Sequence, residues 1–295
     1  IQASVGQFEC EDCNLGMESG MIMTSGFASN AVGPNNQGAA TGSSNLFGST
    51  DPDLTAISTN TLNDWCIVEF DFVPLGDTLR FNYIFASEEY PEYSGSGFND
   101  VFGFFLSGPG INGPYSNNAE NLALIPGTNS PVTINNVNNG GDGINGPCQN
   151  CEFYNHNGMG WDVDDPTYSD PYYIQYDGFL DTFEAYSIVQ CGQTYHIKLC
   201  IADAGDSGFD SGVFLERESF SSNLVVQVEI DFEAGGPEGN TLFEDCGQSL
   251  ITFSRPESGD LNTALTAYIE YSGDAIELVD YSDLPDSVYF APGVE

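Results

Sequence analysis

The sequence predicts an all-β protein: a jelly-roll-like antiparallel β-sandwich followed by a second, smaller β domain. Short runs rich in Phe, Tyr, Ile and Val recur between turns rich in Gly, Pro and Asn, the pattern of many short strands. No run of about 12 residues carries an apolar face at i, i+3 and i+4, so long helices are not expected. Around Ser219–Asn223 the texture changes and LVVQVEIDFEA opens a new unit. The domains are therefore expected at 1–222 and 223–295.

The first sixty residues are dominated by Gly, Ser, Asn and Thr, with one short strand in GMIMTSG and a turn-rich loop over 31–45. Asp51 and Asp53 in TDPDL are expected to cap a helical turn, with cation binding as the alternative. In WCIVEFDFV, Cys66, Val68, Phe70 and Phe72 alternate with Ile67, Glu69, Asp71 and Val73, which puts the aromatic side chains on one face. Further strands are expected over Thr78–Ala86, Val101–Leu106, Leu122–Ile125, Val132–Ile134, Thr194–Ala202 and Val213–Glu216, with a less regular one within 176–190. In the second unit, strands are expected near Ser249–Ser254 and Ala264–Tyr271.

Forty-four acidic residues oppose four basic ones, Arg80, Lys198, Arg217 and Arg255, for a net charge of −40. Such a field repels nucleic acid and anionic lipid, so neither is an expected partner. It attracts divalent cations, although adaptation to a saline medium accounts equally well for the acid excess. Aromatic residues at 13% supply a core, which excludes an acidic disordered chain. No stretch approaches about 20 uninterrupted apolar residues, so no direct membrane insertion is expected in this segment. No signal peptide opens the chain; the expected reason is that the precursor's start has been removed or lies outside this segment.

Eight cysteines, Cys10, Cys13, Cys66, Cys148, Cys151, Cys191, Cys200 and Cys246, favour an oxidising, extracellular setting and disulfide bonding. Cys10/Cys13 and Cys148/Cys151 also have the CxxC spacing of zinc or redox motifs. Their neighbours are Glu9, Glu11, Asp12 and Glu152, which would destabilise thiolates.

Two acidic corners carry the chemistry. In RFNYIFASEEYPEYSGSGFNDVFGFFLSG, two strands flank a connection holding Glu88, Glu89, Glu92, Asn99 and Asp100. In DAGDSGFDSG, Asp203, Asp206 and Asp210 alternate with glycines. Calcium takes six to eight hard oxygens, and glycine turns rich in Asp offer carboxylates and carbonyls together. If folding joins the corners, Glu88, Glu89, Asn99, Asp100, Asp203, Asp206 and Asp210 are the candidate Ca2+ ligands. The alternative is that each carboxylate caps its own turn and faces water. The irregular segment 135–176 holds Trp161, Tyr168, Tyr172 and Tyr173 beside Asn and Asp, side chains of the kind that contact sugars; covering a core is their other role. The two histidines, His156 and His196, belong to no catalytic motif, and no enzyme is expected.

FDFVPLGDTLRFNYIFASEEYPEY, FNDVFGFFLSGPGI, NLALIPGTNSPVTINNVN and YHIKLCIADAGDSGFDSGVFLE, in this order, resemble the choice-of-anchor L domain. The resemblance covers about residues 5–220. It implies a secreted bacterial surface protein, of the kind found in Bacteroidota, exported by a type IX-like route and connected with gliding. LITFSRP, TALTAYIEYSGDAIELVDYSDLP and VYFAPG more distantly resemble a Calx-beta-like or immunoglobulin-like repeat. The expected function is an extracellular, non-catalytic adhesin or surface-filament component. Calcium would rigidify its sandwich, which would contact a glycan or protein surface, with self-association or neighbouring surface domains as further partners. A carbohydrate-binding module of a secreted degradative enzyme and a structural subunit of an extracellular fibre are the alternatives. Asp77-Thr78-Leu79 and Asp286-Ser287-Val288 resemble the O-glycan acceptors of Bacteroidota.

Overall fold

The computed structural model describes residues 3–42, 51–58, 60–140, 147–222, 226–232, 249–255, 261, 264–269 and 284–294. Cys246 and residues 141–146 of the irregular segment lie outside them. The chain divides into two compact units, one of residues 1–74 and 79–222, the other of 75–78 and 223–295.

Eleven strands build the first unit: β1 Val5–Glu9, β2 Ser19–Thr24, β3 Leu62–Phe72, β4 Thr78–Ser87, β5 Val101–Ser107, β6 Glu120–Asn121, β7 Tyr154–His156, β8 Gly178–Leu180, β9 Phe183–Ile188, β10 Tyr195–Ala204 and β11 Ser211–Glu216. One sheet runs β1-β2-β11-β4-β8-β7, with β9 also on β4; the other runs β3-β10-β5-β6. Their paired strands are antiparallel. Successive strands β2 to β5, and β9 to β11, alternate between sheets, so the chain weaves a sandwich.

The filling between the sheets is aromatic. Phe81, Tyr83 and Phe85 of β4 meet Phe102 and Phe104 of β5, with ring centroids 4.9 to 5.6 Å apart. Burial of each such side chain stabilises the fold by about 1.5–3 kcal/mol before entropy is counted. Every residue of β5 is buried, because its outward side chains lie under α1, Pro52–Ile57, and the 115–119 turn. Asp51 caps α1 by accepting from Asp53 N and Leu54 N, as expected from its sequence. Lys198 on β10 then bonds both Asp51 and Asp53, at 2.7 and 2.6 Å, and fixes the helix to the sheet. Burial alone would raise the Asp53 pKa; bonds from Lys198 and Ser116 bring it below the usual carboxylate range.

Most of the expected strands form, short ones such as Val213–Glu216 included, and two do not. Leu122–Ile125 and Val132–Ile134 are buried core segments joined to their neighbours by isolated bridges, not strands. The Asn121 side chain accepts from Phe104 N and Ala123 N and so replaces part of the ladder that a strand would make. Strand β1, in the Gly/Ser-rich opening segment, had no visible alternation. Within the second unit, two antiparallel ladders are described: β12 Gln227–Phe232 with β13 Ser249–Ser254, and β14 Leu265–Tyr268 with β15 Ser287–Phe290. Ser287 is exposed on β15, whereas the Thr78 hydroxyl is buried at the start of β4 and is not presented as a glycan acceptor.

Disulfides close within each CxxC pair, Cys10–Cys13 and Cys148–Cys151. The expectation of wholly disulfide-bonded cysteines is corrected for Cys66, Cys191 and Cys200, which are free thiols. Cys66 pairs with Ile201 and Cys200 with Ile67, so the two sit one residue out of step and face opposite sides of their sheet. Cys191 is exposed in the turn before β10.

Candidate metal centre

Two ladders bring the acidic corners together. Ser211 pairs with Ser87 where β11 begins and β4 ends, and Ala202 pairs with Val101 where β10 ends and β5 begins. Glu88 and Glu89 follow β4, Asp100 precedes β5, Asp203 closes β10 and Asp210 precedes β11. Four strand ends, two from each sheet, thus deliver five carboxylates to one edge of the sandwich. All five residues are at most 1% exposed.

The backbone there is tightly specified. Glu88 N donates to Asp210 O at 3.1 Å, and Asn135 ties the 88–100 loop by bonding Gly95 N, Ser96 O and Asn99 Oδ1. Asn99 is thereby engaged in the loop through its side-chain oxygen. A register shift between Ile201 and Asp203 turns the end of β10. Gly26 lies so close to the Asp210 carboxylate that any Cβ there would collide with it. Gly205, at φ +108°, makes the turn that leads out of β10 and takes a conformation other residues resist.

Hydroxyls satisfy part of the cluster. Ala204 N and Ser211 Oγ donate to the two oxygens of Asp100 at 2.9 and 2.6 Å. Ser211 has one proton, so Ser87, 2.8 Å away, donates to it, while Ser87 accepts from Glu89 N. The remaining carboxylates are less well served. Neither oxygen of Asp203 has a hydrogen-bond donor in good geometry; Ser25, which donates to Ser211 O, and Asp100 lie close by. Glu88 Oε2, Glu89 Oε2 and Asp210 Oδ1 also lack donors.

Burial raises every one of these pKa values, and mutual repulsion adds to it. Glu89 is raised by burial and then by the charges of Asp100, Asp206 and Glu92. Asp203 is raised well above the usual range by burial and by Asp100. For Asp210, burial outweighs the bonds from Asn30 and Gly42 and leaves it at about 7. Asp206 is exposed at the rim, where its charge acts on Glu89 and Asp100.

The donor set is oxygen only, which suits a hard cation and not zinc. The donorless buried oxygens are what such an ion would occupy. Among the described residues, however, no three Asp, Glu, His or Cys side chains stand arranged to hold a metal ion as they lie. Binding would therefore require the carboxylates to swing inward onto the ion.

Sequence reasoning missed a second group beside this corner. Asp177 and Gln175 are fully buried next to Glu88, and Asn35 binds both: its Nδ2 donates to Asp177 Oδ1 at 2.7 Å, and its Oδ1 accepts from Gln175 at 3.1 Å. They lie in or beside the irregular segment, where no strand register was available to place them.

The aromatic candidates are spread out. Trp161 is 58% exposed and Tyr172 46% exposed, while Tyr168 and Tyr173 are half-buried. Tyr172 and Tyr173 meet edge to face at 5.2 Å; among the described residues no ring contact joins them to Trp161 or Tyr168. His196 lies on the surface between Asp71 and Glu69, and His156 lies beside the Tyr154 hydroxyl.

No curated protein and no solved structure matches the chain. The choice-of-anchor L domain matches residues 1–221, three quarters of the sequence and the whole of the sandwich with its acidic edge. That family comprises surface-associated proteins and is not a known enzyme family, and no described helix is long and apolar enough to cross a membrane. With the matched region spanning all eleven sandwich strands, the chain belongs to the choice-of-anchor L domain family.

Proposed function

We propose that this is an extracellular adhesin or surface-filament component in which Ca2+ cross-links the acidic edge of the sandwich. The observation that carries the reading is Asp203: buried, with no donor in good geometry on either oxygen although Ser25 lies close, and beside the charges of Asp100 and Asp210. Leaving such carboxylates unpaired costs several kcal/mol through desolvation and repulsion, and a divalent ion removes that cost. Asp203, Asp210, Glu89 and the free oxygen of Glu88 would supply ligands, Asp100 would contribute from its Ser211-bound carboxylate, and Asp206 would attract the ion from the rim. The ion would supply positive charge that ties both sheets together beside the Ser211–Asp100 hydrogen bond.

A glycan is the favoured partner surface, because Trp161 and Tyr172 present exposed rings among Asp and Asn side chains. The same rings suit a carbohydrate-binding module, the second reading. Residues 223–295 are read as a Calx-beta-like or immunoglobulin-like repeat, a reading supported by the sequence resemblance and by the two antiparallel ladders among the residues described there. Export by a type IX-like route and a role in gliding belong to the same proposal and rest on the family resemblance.

Thermal melting with calcium and with EDTA tests the ion. At free calcium of 100 Kd a single site adds about 2.7 kcal/mol of stability. An unchanged Tm in EDTA, with no bound metal by elemental analysis, would sink the reading.

A further inference from the structure

Three buried oxygens beside the acidic edge have no hydrogen-bond donor: Glu88 Oε2, Asp177 Oδ2 and Gln175 Oε1. All three residues are 0% exposed. Their orientation is fixed by the groups around them. Gln175 Nε2 faces three acceptors, Asn35 Oδ1 at 3.1 Å, Gln37 O at 3.0 Å and Glu88 Oε1 at 3.4 Å. Reversing the amide would set oxygen against oxygen three times, so its carbonyl is held on the donorless side.

Asn35 is equally determined. Its Nδ2 donates to Asn157 O and to Asp177 Oδ1, and its Oδ1 receives Gln175. Asn157 in turn bonds the carbonyls of Ile174 and Tyr176 and receives Asn14, which holds the 174–177 backbone in place. Glu88 Oε1 and Asp177 Oδ1 each meet a side-chain amide, and the Ala40 backbone amide also acts on Glu88, yet the second oxygen of each acid has no donor in hydrogen-bond geometry; the charge that acts most strongly on Glu88 is that of Asp177. Packing alone does not account for the pattern, because burying unpaired acceptors is costly.

We infer that Glu88, Asp177 and Gln175 form a second site for a hard divalent cation, distinct from the Asp100–Asp203–Asp210 site and sharing the Glu88 edge with it. Two carboxylates and an amide carbonyl are an oxygen set for calcium or magnesium, with main-chain carbonyls or water completing the shell. Asn35 and Asn157 hold Asp177 and Gln175 in register without touching the ion, and Gln175 in turn meets Glu88. This deepens the cation reading of the acidic edge, since Glu88 borders both positions.

The test counts ions on the full chain. Metal-stripped protein is titrated with calcium and, separately, magnesium by calorimetry, with bound metal measured after gel filtration. The variants are Asp177→Asn and Asp203→Asn, each near-isosteric and each checked by circular dichroism for a native fold. The expected result is two ions per chain, one lost in each variant. Two ions retained in Asp177→Asn, or a single ion that this variant keeps and Asp203→Asn loses, overturns the second site and leaves the first intact. One ion lost only in Asp177→Asn upholds the second site and overturns the first. No ion in the native chain overturns both.

Discussion

The Ser211 hydroxyl donates to Asp100 Oδ2 at 2.6 Å and so joins the start of a strand in one sheet to the residue preceding a strand in the other, 111 positions away. Ser211→Ala removes that bond and leaves Ser87 without its acceptor. A loss of about 1–3 kcal/mol is expected in denaturant unfolding, the cost of buried groups left unmatched.

Without metal, the acidic edge makes stability depend on pH in an unusual sense. Burial raises Asp210 to about 7 and also raises Asp100 and Asp177. A carboxyl whose folded pKa is raised contributes stability below its ordinary pKa of about 4 and loses it as pH climbs through the folded value. The Tm in EDTA is thus expected to fall between about pH 4 and 8. Saturating calcium, which holds the ionised form, should flatten that fall; a Tm in EDTA that rises over the same interval would contradict the raised values.

Lys198 is the sole basic partner of Asp51 and Asp53 among the described residues, and the side chains are 13, 10 and 5% exposed. Lys198→Met leaves two acids unpaired under α1, with an expected cost of about 3–5 kcal/mol by equilibrium unfolding. Adding Asp53→Asn should recover part of that loss.

Gly26→Ala places a methyl against the Asp210 carboxylate. Overpacking there is expected to cost about 1–3 kcal/mol. It should also weaken calcium binding by displacing a ligand, which distinguishes it from a remote destabilising change; calorimetry reads the affinity and melting reads the stability.

Burial pushes the Cys66 thiol up to about 11 and raises Cys200 as well, while Cys191 stands exposed. In native protein treated with a maleimide, peptide mapping should find Cys191 modified rapidly and Cys66 and Cys200 only on unfolding.

Strands such as β3 and β10 could be read because alternation over nine or ten residues leaves one register. The joining of Glu88/Glu89 to Asp203/Asp210 could be anticipated because each group ends or begins such a strand. Its depth could not: full burial depends on the 31–42 segment and on Asn135, whose contacts are loop hydrogen bonds with no periodic signature. Asp177, Gln175 and Asn35 were invisible for the same reason. Cysteine spacing suggested disulfides throughout, but it carries no information about which face of a sheet Cys66 and Cys200 occupy.

Strand β2 lies between β1 and β11, with Val5 opposite Met23 and Met23 opposite Val213. Because β2 runs against both, β1 and β11 are parallel, and the start of β1 and the end of β11 leave this part of the sheet at opposite ends. Tension between residue 5 and the residues that follow Glu216 would drag these strands lengthwise past β2. The hydrogen bonds of two ladders would then have to give way together instead of opening one by one, the geometry in which a sheet resists mechanical rupture longest. For a domain carried on surface-associated proteins, that makes the sandwich a suitable link in a chain under pull.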